Sequence, residues 1–424
     1  MLEEILQSQN VYKALEQVER NKGAGGIDTM QTDKLRQYVS SNWLKLKEDI
    51  LGGSYCPSPV RKVEIPKTGG GKRMLGIPTV TDRFLQQAVS QWLSPKYESE
   101  FSQMSFGFRP GKNAHQAVHQ AQIFLNEGKT WIVELDLEKF FDKVNHDKLM
   151  SLLEKKIDDR RTLRLIRQYL QSGIMEGGVV SPRSEGTPQG SPLSPLLSNI
   201  ILNELDKELH RRGHSFVRYA DDCSIYVKTE KAAERTMASI TNYIERKLKL
   251  KVNREKTKVS RPTSSTLLGF SFYKNSSQWE IRISPKSIKR IKEKLRAGTQ
   301  RRNPENARIK IQKLERIIRG WVNYFAIARA KSVMQQLDEM VRGRLRMGIW
   351  KSWKRIRTKV RNLIRLGVNK QKAYMWGNSS KRYCKIANSP ILKTTLNDSY
   401  WKKEGYIGFF QYYFWKNDYQ LKAF

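Results

Sequence analysis

Cysteine is nearly absent: Cys56, Cys223 and Cys384 are the only three in 424 residues, and no two stand in a Cys-x-x-Cys pair. That excludes a zinc knuckle and argues against a disulfide framework. Cys223 reads as a small buried strand residue. Histidine is also sparse, with five. His115 and His119 have the spacing of a helical zinc site, but Gln116 stands where that motif has its general base. No third ligand accompanies them, so the pair is assigned to a solvated or packed helix face. No apolar run approaches the length of a membrane span, and the N-terminus lacks a signal-peptide pattern. The expectation is a cytoplasmic protein with no membrane partner. Acidic residues are scarce relative to basic ones, 41 Asp and Glu against 79 Lys and Arg, for a formal net charge of +38. Such a surface needs a polyanion, and counterion release makes its binding to phosphate backbones tight and salt-sensitive.

The carboxylates that remain are placed with order. In Phe216-Val217-Arg218-Tyr219-Ala220-Asp221-Asp222-Cys223-Ser224-Ile225-Tyr226-Val227 both flanks are aromatic and β-branched, which predicts two strands with the Asp pair at a hairpin tip. An isolated Asp-Asp would be an ordinary surface turn. A second run changes this: in Trp131-Ile132-Val133-Glu134-Leu135-Asp136-Leu137 the apolar residues Trp131, Val133, Leu135 and Leu137 share one face, and Glu134 and Asp136 share the other. Carboxylates from two neighbouring strands can hold two hard cations about 3.5 to 4 Å apart, which suits activation of a 3′ hydroxyl and release of pyrophosphate. Asp136, Asp221 and Asp222 are the expected ligands of two Mg²⁺ ions. Successive side chains of an extended segment point opposite ways, so Asp221 is expected to be the closer ligand of the adjacent pair.

Tyr219-Ala220-Asp221-Asp222, with the Asp136 strand upstream, resembles the palm of a reverse transcriptase. Gly186-Thr187-Pro188-Gln189-Gly190-Ser191-Pro192-Leu193-Ser194-Pro195 is similar to the family motif that holds the incoming nucleotide. Phe106-Gly107-Phe108-Arg109-Pro110, Ile65-Pro66-Lys67 and Leu267-Leu268-Gly269-Phe270 match in the family's order. Specifically, the chain resembles the reverse transcriptase and maturase of bacterial group II introns over essentially residues 1–424. The resemblance implies an α+β right-hand polymerase fold. Fingers and palm with an antiparallel sheet would occupy 1–283, including an N-terminal extension over 1–45. An α-helical thumb, the maturase domain, would follow over 284–362, and a small C-terminal DNA-binding domain over 363–424.

Residue patterning agrees with that division. An amphipathic helix is predicted over Leu2 to Val18, followed by the loop Asn21-Lys22-Gly23-Ala24-Gly25-Gly26-Ile27-Asp28. From Ser284 to about Asn362 strand signals vanish and apolar residues recur at helical spacing among many Lys and Arg. The lines Ile288-Ile291-Leu295, Ile311-Leu314-Ile317-Ile318-Trp321 and Val333-Leu337-Met340-Val341 are assigned to a core, leaving the basic faces for a duplex. Gly320-Trp321-Val322-Asn323-Tyr324-Phe325 resembles the family's thumb sequence. In the tail, the cluster Phe409-Phe410-Gln411-Tyr412-Tyr413-Phe414-Trp415 suits either core packing or stacking on bases. Nothing follows the tail, so the endonuclease domain of some relatives is expected to be absent, as in the group IIC type, with no cleavage of the second target strand.

Around the Asp cluster, Val63 to Lys67 and Lys72 to Pro78 are predicted to form a hairpin through Thr68-Gly69-Gly70-Gly71, with Lys67 and Arg73 available to a triphosphate. By resemblance, Phe141 lies against the sugar of the incoming nucleotide, where a ring would collide with a ribose 2′ hydroxyl and select dNTPs. Phe140 is assigned to the core. Gln189 can bond sugar or base, and Ser191 replaces a second glycine common in relatives. The Leu137 carbonyl completes the implied metal set, and Ala220 the nucleotide-binding set. Gly23 and Gly25 belong to a loop resembling the family's lid over the template, which from sequence alone is a flexible turn. Arg109 is a candidate template contact, with a structural salt bridge as the equal alternative. Gly269 matches the segment that supports the primer terminus.

The resemblance therefore implies an RNA-directed DNA polymerase that copies intron RNA during retrohoming and binds that RNA to assist splicing. Its partners would be group II intron RNA, an RNA template with a DNA primer, target DNA and dNTPs. The alternatives are a splicing maturase without polymerase activity, an RNA-dependent RNA polymerase, or a retron-type reverse transcriptase. The intact Asp triad argues against the first, Phe141 against the second and the long basic thumb against the third.

Overall fold

The structure, a computed structural model, describes residues 1–66, 70–300 and 305–422. It divides into two compact units, Met1–Ser265 and Thr266–Phe424.

In chain order the strands of the first unit are β1 (Val60–Pro66), β2 (Lys72–Ile77), β3 (Trp131–Leu135), β4 (Ile174–Glu176), β5 (Val179–Ser181), β6 (Ser215–Tyr219), β7 (Asp222–Val227) and β8 (Lys258–Ser260). One sheet has the order β2-β1-β4-β5, and the other β6-β7-β3-β8. Every pairing in the second sheet is antiparallel. Its apolar residues Val133, Leu135, Phe216 and Ile225 share a core with Leu197, Ile201 and Leu205 of the helix Ser194–Arg211. Each such fully buried aliphatic side chain contributes about 1.5 to 3 kcal/mol. That sheet and helix form the platform on which the acidic residues sit.

The N-terminal helix is broken where one helix was expected. Leu2–Ile5 and Ser8–Asn21 are separate because Gln7 is extended, with φ −67° and ψ 143°. The break lets Leu2, Ile5 and Leu6 on one piece and Val11, Ala14, Leu15 and Val18 on the other all reach the core.

The second unit opens with an antiparallel hairpin, β9 (Phe270–Asn275) and β10 (Gln278–Ile283). Its long helices are Pro285–Gly298, Ala307–Phe325, Lys331–Ser352 and Ile356–Arg365. The hairpin packs with these helices: the Phe270 and Phe325 rings lie 4.9 Å apart, and the Arg329 N–H donates to the Ile281 carbonyl at 3.0 Å. The contact boundary at 265/266 therefore falls before this strand pair, ahead of the boundary expected at 283/284.

Residues after 363 form short helices that share the core of the longer ones. Asp338, on Lys331–Ser352, accepts bonds from the Tyr406 hydroxyl at 2.7 Å and from the Phe409 and Phe410 N–H groups at 2.7 and 2.9 Å. These bonds fix the start of the last helix, Phe409–Lys422. The aromatic cluster divides accordingly, with Phe409 buried against Trp321 and Phe414 and Trp415 exposed. Among the described residues, no helix is long and apolar enough to cross a membrane.

Candidate active site

β6 and β7 close on the pair Tyr219 and Asp222, which leaves Ala220 and Asp221 as a two-residue tip. Ala220 takes a left-handed backbone, φ 56°, a conformation that costs a non-glycine residue roughly 1 to 2 kcal/mol. The surroundings fix it there. Gly107 runs so close that a Cβ on it would lie 2.2 Å from the Ala220 nitrogen. Beneath the tip, the fully buried Arg218 donates to the Ala220 carbonyl at 2.9 Å. β7 also pairs with β3 up to Leu135 opposite Cys223. One residue further, the chain reaches Asp136 on one strand and Asp222 on the other. The Asp136 N–H donates to the Thr257 hydroxyl at 3.2 Å, and its carbonyl accepts from Asn253 N–H at 2.8 Å.

These elements border a cleft of about 740 Å³ lined by Arg73, Asp136, Leu137, Phe141, Gln189 and Asp221, among others. Six residues singled out from sequence are thus together. Asp222 and Ala220 belong to the same hairpin without lining the cleft. Glu134, expected on the cleft face with Asp136, instead accepts a bond from the Ser260 hydroxyl at 2.5 Å, because β8 covers that edge of β3. Phe140 is buried, whereas Phe141 is half-buried and its carbonyl accepts from Thr187 N–H at 2.5 Å. That contact, and a Cβ position on Gly186 2.7 Å from the Asp142 carbonyl oxygen, tie the Phe141 turn to the Gln189 loop. The Gln189 carbonyl in turn accepts from Gly76 N–H at 3.0 Å, joining the loop to β2. Ser191 fits as a buried residue whose hydroxyl bonds Gln86.

Asp221 and Asp222 both have their proton affinity raised. Asp221 is shifted upward by burial and then by the charge of Asp136, while the nearby Arg73 opposes the shift. Asp222 is pushed up to about 6 by desolvation and then by the charges of Asp221 and Asp136. A divalent cation would relieve this mutual repulsion, and carboxylate and carbonyl oxygens are the hard donors Mg²⁺ takes. The donor set fits such an ion. Among the described residues, no three His, Cys, Asp or Glu side chains are gathered into a ready-made metal cage. Lys256 instead stands 3.2 Å from Asp136 as its counter-charge. Sequence reasoning missed Lys256. Its signal is a lysine just after Asn253, the residue that hydrogen-bonds Asp136 from 117 positions away in sequence.

Other expected contacts lie elsewhere. Arg109 corrects the template expectation: its side chain is buried, pairs with Glu98 at 2.7 Å and donates to the Ser105 carbonyl at 2.8 Å. All its bonding capacity is directed inward, so it braces the Phe106–Pro110 segment. Lys67 lies outside the described residues. Gly23 and Gly25 belong to the first unit, where the loop is packed rather than loose: Arg83 donates to the Ala24 carbonyl at 2.5 Å, and a Cβ on Gly25 would meet the Met30 carbonyl at 2.6 Å. Gly269 lies in the second unit with φ 84°, and its close approach there is to Ser287 and Phe325. Cys223 is buried in β7. His119 is exposed on the helix Ala114–Asn126 that also carries His115.

The family described as reverse transcriptase (RNA-dependent DNA polymerase) matches residues 65–272, and the group II intron maturase-specific domain matches residues 288–367. Protein YkfC of Escherichia coli K12 is 33% identical over 305 residues, which is 62% of this chain and 80% of that protein. The chain belongs to the group II intron reverse transcriptase and maturase family. The group II intron-encoded protein LtrA of Lactococcus lactis is 38% identical over 197 residues, 46% of this chain, and the match spans about a third of LtrA's length. Among solved structures, a partial Cas6-RT-Cas1–Cas2 complex aligns with a TM-score of 0.38 and 27% identity, covering 58% of this chain and 42% of that one. Reverse transcriptases generally use divalent metal ions, so the family's chemistry and the donor set of the cleft agree. The maturase-specific domain implies RNA binding, in keeping with the charge of +38.

Proposed function

We propose that the cleft between β2, β3 and the β6–β7 tip is where this reverse transcriptase copies group II intron RNA into DNA. The observation that carries the reading is the convergence of Asp136 and Asp221 with Arg73, Phe141 and Gln189 in one cavity. Asp136, Asp221, Asp222 and the Leu137 carbonyl would hold two Mg²⁺ ions, which when bound supply neutralisation of charge at the entering and leaving oxygens. Arg73 takes the triphosphate with its fixed fork of donors, and the Phe141 ring excludes a 2′ hydroxyl. Gln189 orients the sugar or base. The primer 3′ oxygen then attacks the α-phosphorus in line and pyrophosphate leaves, so catalysis is chiefly positioning and charge stabilisation.

The substrates are an RNA template with a DNA primer and dNTPs. The second unit, with its basic helices, binds intron RNA to assist splicing, and residues after 363 contact target DNA during retrohoming. The working compartment is the cytoplasm, in a ribonucleoprotein with the intron. Primer extension on an RNA template with Mg²⁺ and dNTPs tests the reading. Product is expected from the intact protein and none from Asp221→Ala, while both bind structured RNA equally. Loss of RNA binding together with synthesis in that variant would contradict separate sites.

A further inference from the structure

Arg218 is the one arginine of the catalytic hairpin, and it is wholly buried with its partner Asp206. Its Nε and Nη2 bond both carboxylate oxygens of Asp206, at 2.7 and 2.6 Å. Its Nη1 bonds the Asn199 side-chain oxygen at 3.1 Å and the Ala220 carbonyl at 2.9 Å. Asn199 in turn donates to the Gly107 carbonyl at 2.9 Å, and Gly107 is the residue whose backbone abuts Ala220. Asp206 and Asn199 both belong to the helix Ser194–Arg211. The network therefore runs from a rigid helix to both strands of chain that hold the left-handed Ala220, one residue before Asp221.

A buried ion pair is weak support for stability, since apolar residues of similar volume often serve as well. What an apolar pair lacks is a donor aimed at the Ala220 carbonyl. We propose that Arg218, oriented by Asp206 and Asn199, is a positioning residue that sets the direction of Asp221 toward the divalent cation. This rests on the reading of Asp221 as a metal ligand. Arg218 touches neither substrate nor ion and acts through the backbone of the tip.

The test is a titration of the intact protein with Mn²⁺ alone, followed by electron paramagnetic resonance, alongside thermal melts and single-nucleotide insertion. Four proteins are compared: wild type, Asp221→Asn, the paired variant Arg218→Met with Asp206→Leu, and Asn199→Ala. The paired variant removes both charges while keeping volume. It is expected to melt like wild type yet bind Mn²⁺ about tenfold to a hundredfold more weakly, the loss usual when a ligand's support is removed. Its kcat is expected to fall while the KM for dNTP changes little, with part of the loss recovered at high Mn²⁺. If the paired variant fails to fold, Asn199→Ala decides, with a smaller weakening of Mn²⁺ binding expected while the ion pair stays intact. Wild-type Mn²⁺ affinity in a folded paired variant, or in Asn199→Ala when the paired variant does not fold, would overturn the proposal provided that Asp221→Asn weakens binding. Unchanged Mn²⁺ affinity in Asp221→Asn would instead overturn the metal reading itself, and this proposal with it.

Discussion

Two hairpins carry the candidate site, and they are built in opposite ways. The β6–β7 tip is two residues long, abutted by Gly107 and held from below by the buried Arg218. The facing ends of β1 and β2 are exposed; they are paired as far as Pro66 opposite Lys72, and Lys72 forms an ion pair with Glu64 across the strands. Metal ligands must be held within about 0.5 Å of their working geometry. The contrast is one of burial: the carboxylate tip rests on buried partners, whereas the facing ends of β1 and β2 lie at the surface.

The sharpest way to break this comparison is to add one methyl group at each hairpin. Gly107→Ala forces a Cβ to 2.2 Å from the Ala220 nitrogen, backbone that cannot step aside, whereas a Cβ on Gly71 meets nothing within 4 Å among the described residues although its φ is 78°. Nucleotide insertion should fall by on the order of a hundredfold in Gly107→Ala through a displaced tip. Gly71→Ala should cost about twofold, through backbone strain alone. Similar losses in both variants would erase the distinction.

Phe141 comes next, since it lines the same cleft. If Phe141 selects the sugar as proposed, through a clash with a 2′ hydroxyl, Phe141→Ala should lower discrimination against ribonucleotides by about tenfold or more. Unchanged dNTP to NTP ratios in a single-nucleotide assay would sink this role. At the β1–β2 hairpin, Arg73→Ala should raise the KM for dNTP by about tenfold with a smaller change in kcat, and Arg73→Lys should recover part of it. A pure kcat effect would contradict a triphosphate contact for Arg73.

The smallest effect concerns the helix under the tip. Glu208, near the end of Ser194–Arg211, is held at about 2 rather than 4.5 by bonds from Arg211 and then Arg212. Its folded pKa is depressed, so its stabilising contribution is complete above pH 4.5 and disappears as pH falls through about 2. Melting temperatures of wild type and Glu208→Gln should therefore differ slightly at neutral pH and converge on acidification. A gap that widens as pH falls would show the opposite linkage.

Asp136, Asp221 and the strands around them were legible because alternation and β-branched flanks are local signals, and a two-residue acidic tip leaves few ways to fold. Phe140 as core and Phe141 as cleft residue came from the family resemblance, which places an aromatic five residues after Asp136. For Arg109 the sequence left a template contact and a salt bridge equally open, and the structure shows the salt bridge; Glu98, which neutralises it, lies on a different element, and sequence does not say which way a guanidinium turns. Lys256 and the Arg218–Asp206 pair were missed for the same reason: each contact is made by the tertiary fold. The break at Gln7 also escaped, because both helical pieces keep an apolar face and only the path of the backbone separates them. The hairpin β9–β10 joined the second unit through ring packing that strand patterning does not encode.

The most direct test of the central claim is anomalous scattering from crystals of the intact protein grown with Mn²⁺, an RNA template, a DNA primer and a non-hydrolysable dNTP analogue. The account predicts Mn²⁺ peaks bridged by Asp136 and Asp221, with the triphosphate reaching Arg73. Peaks elsewhere, or a bound nucleotide with no ion between those two carboxylates, would contradict it.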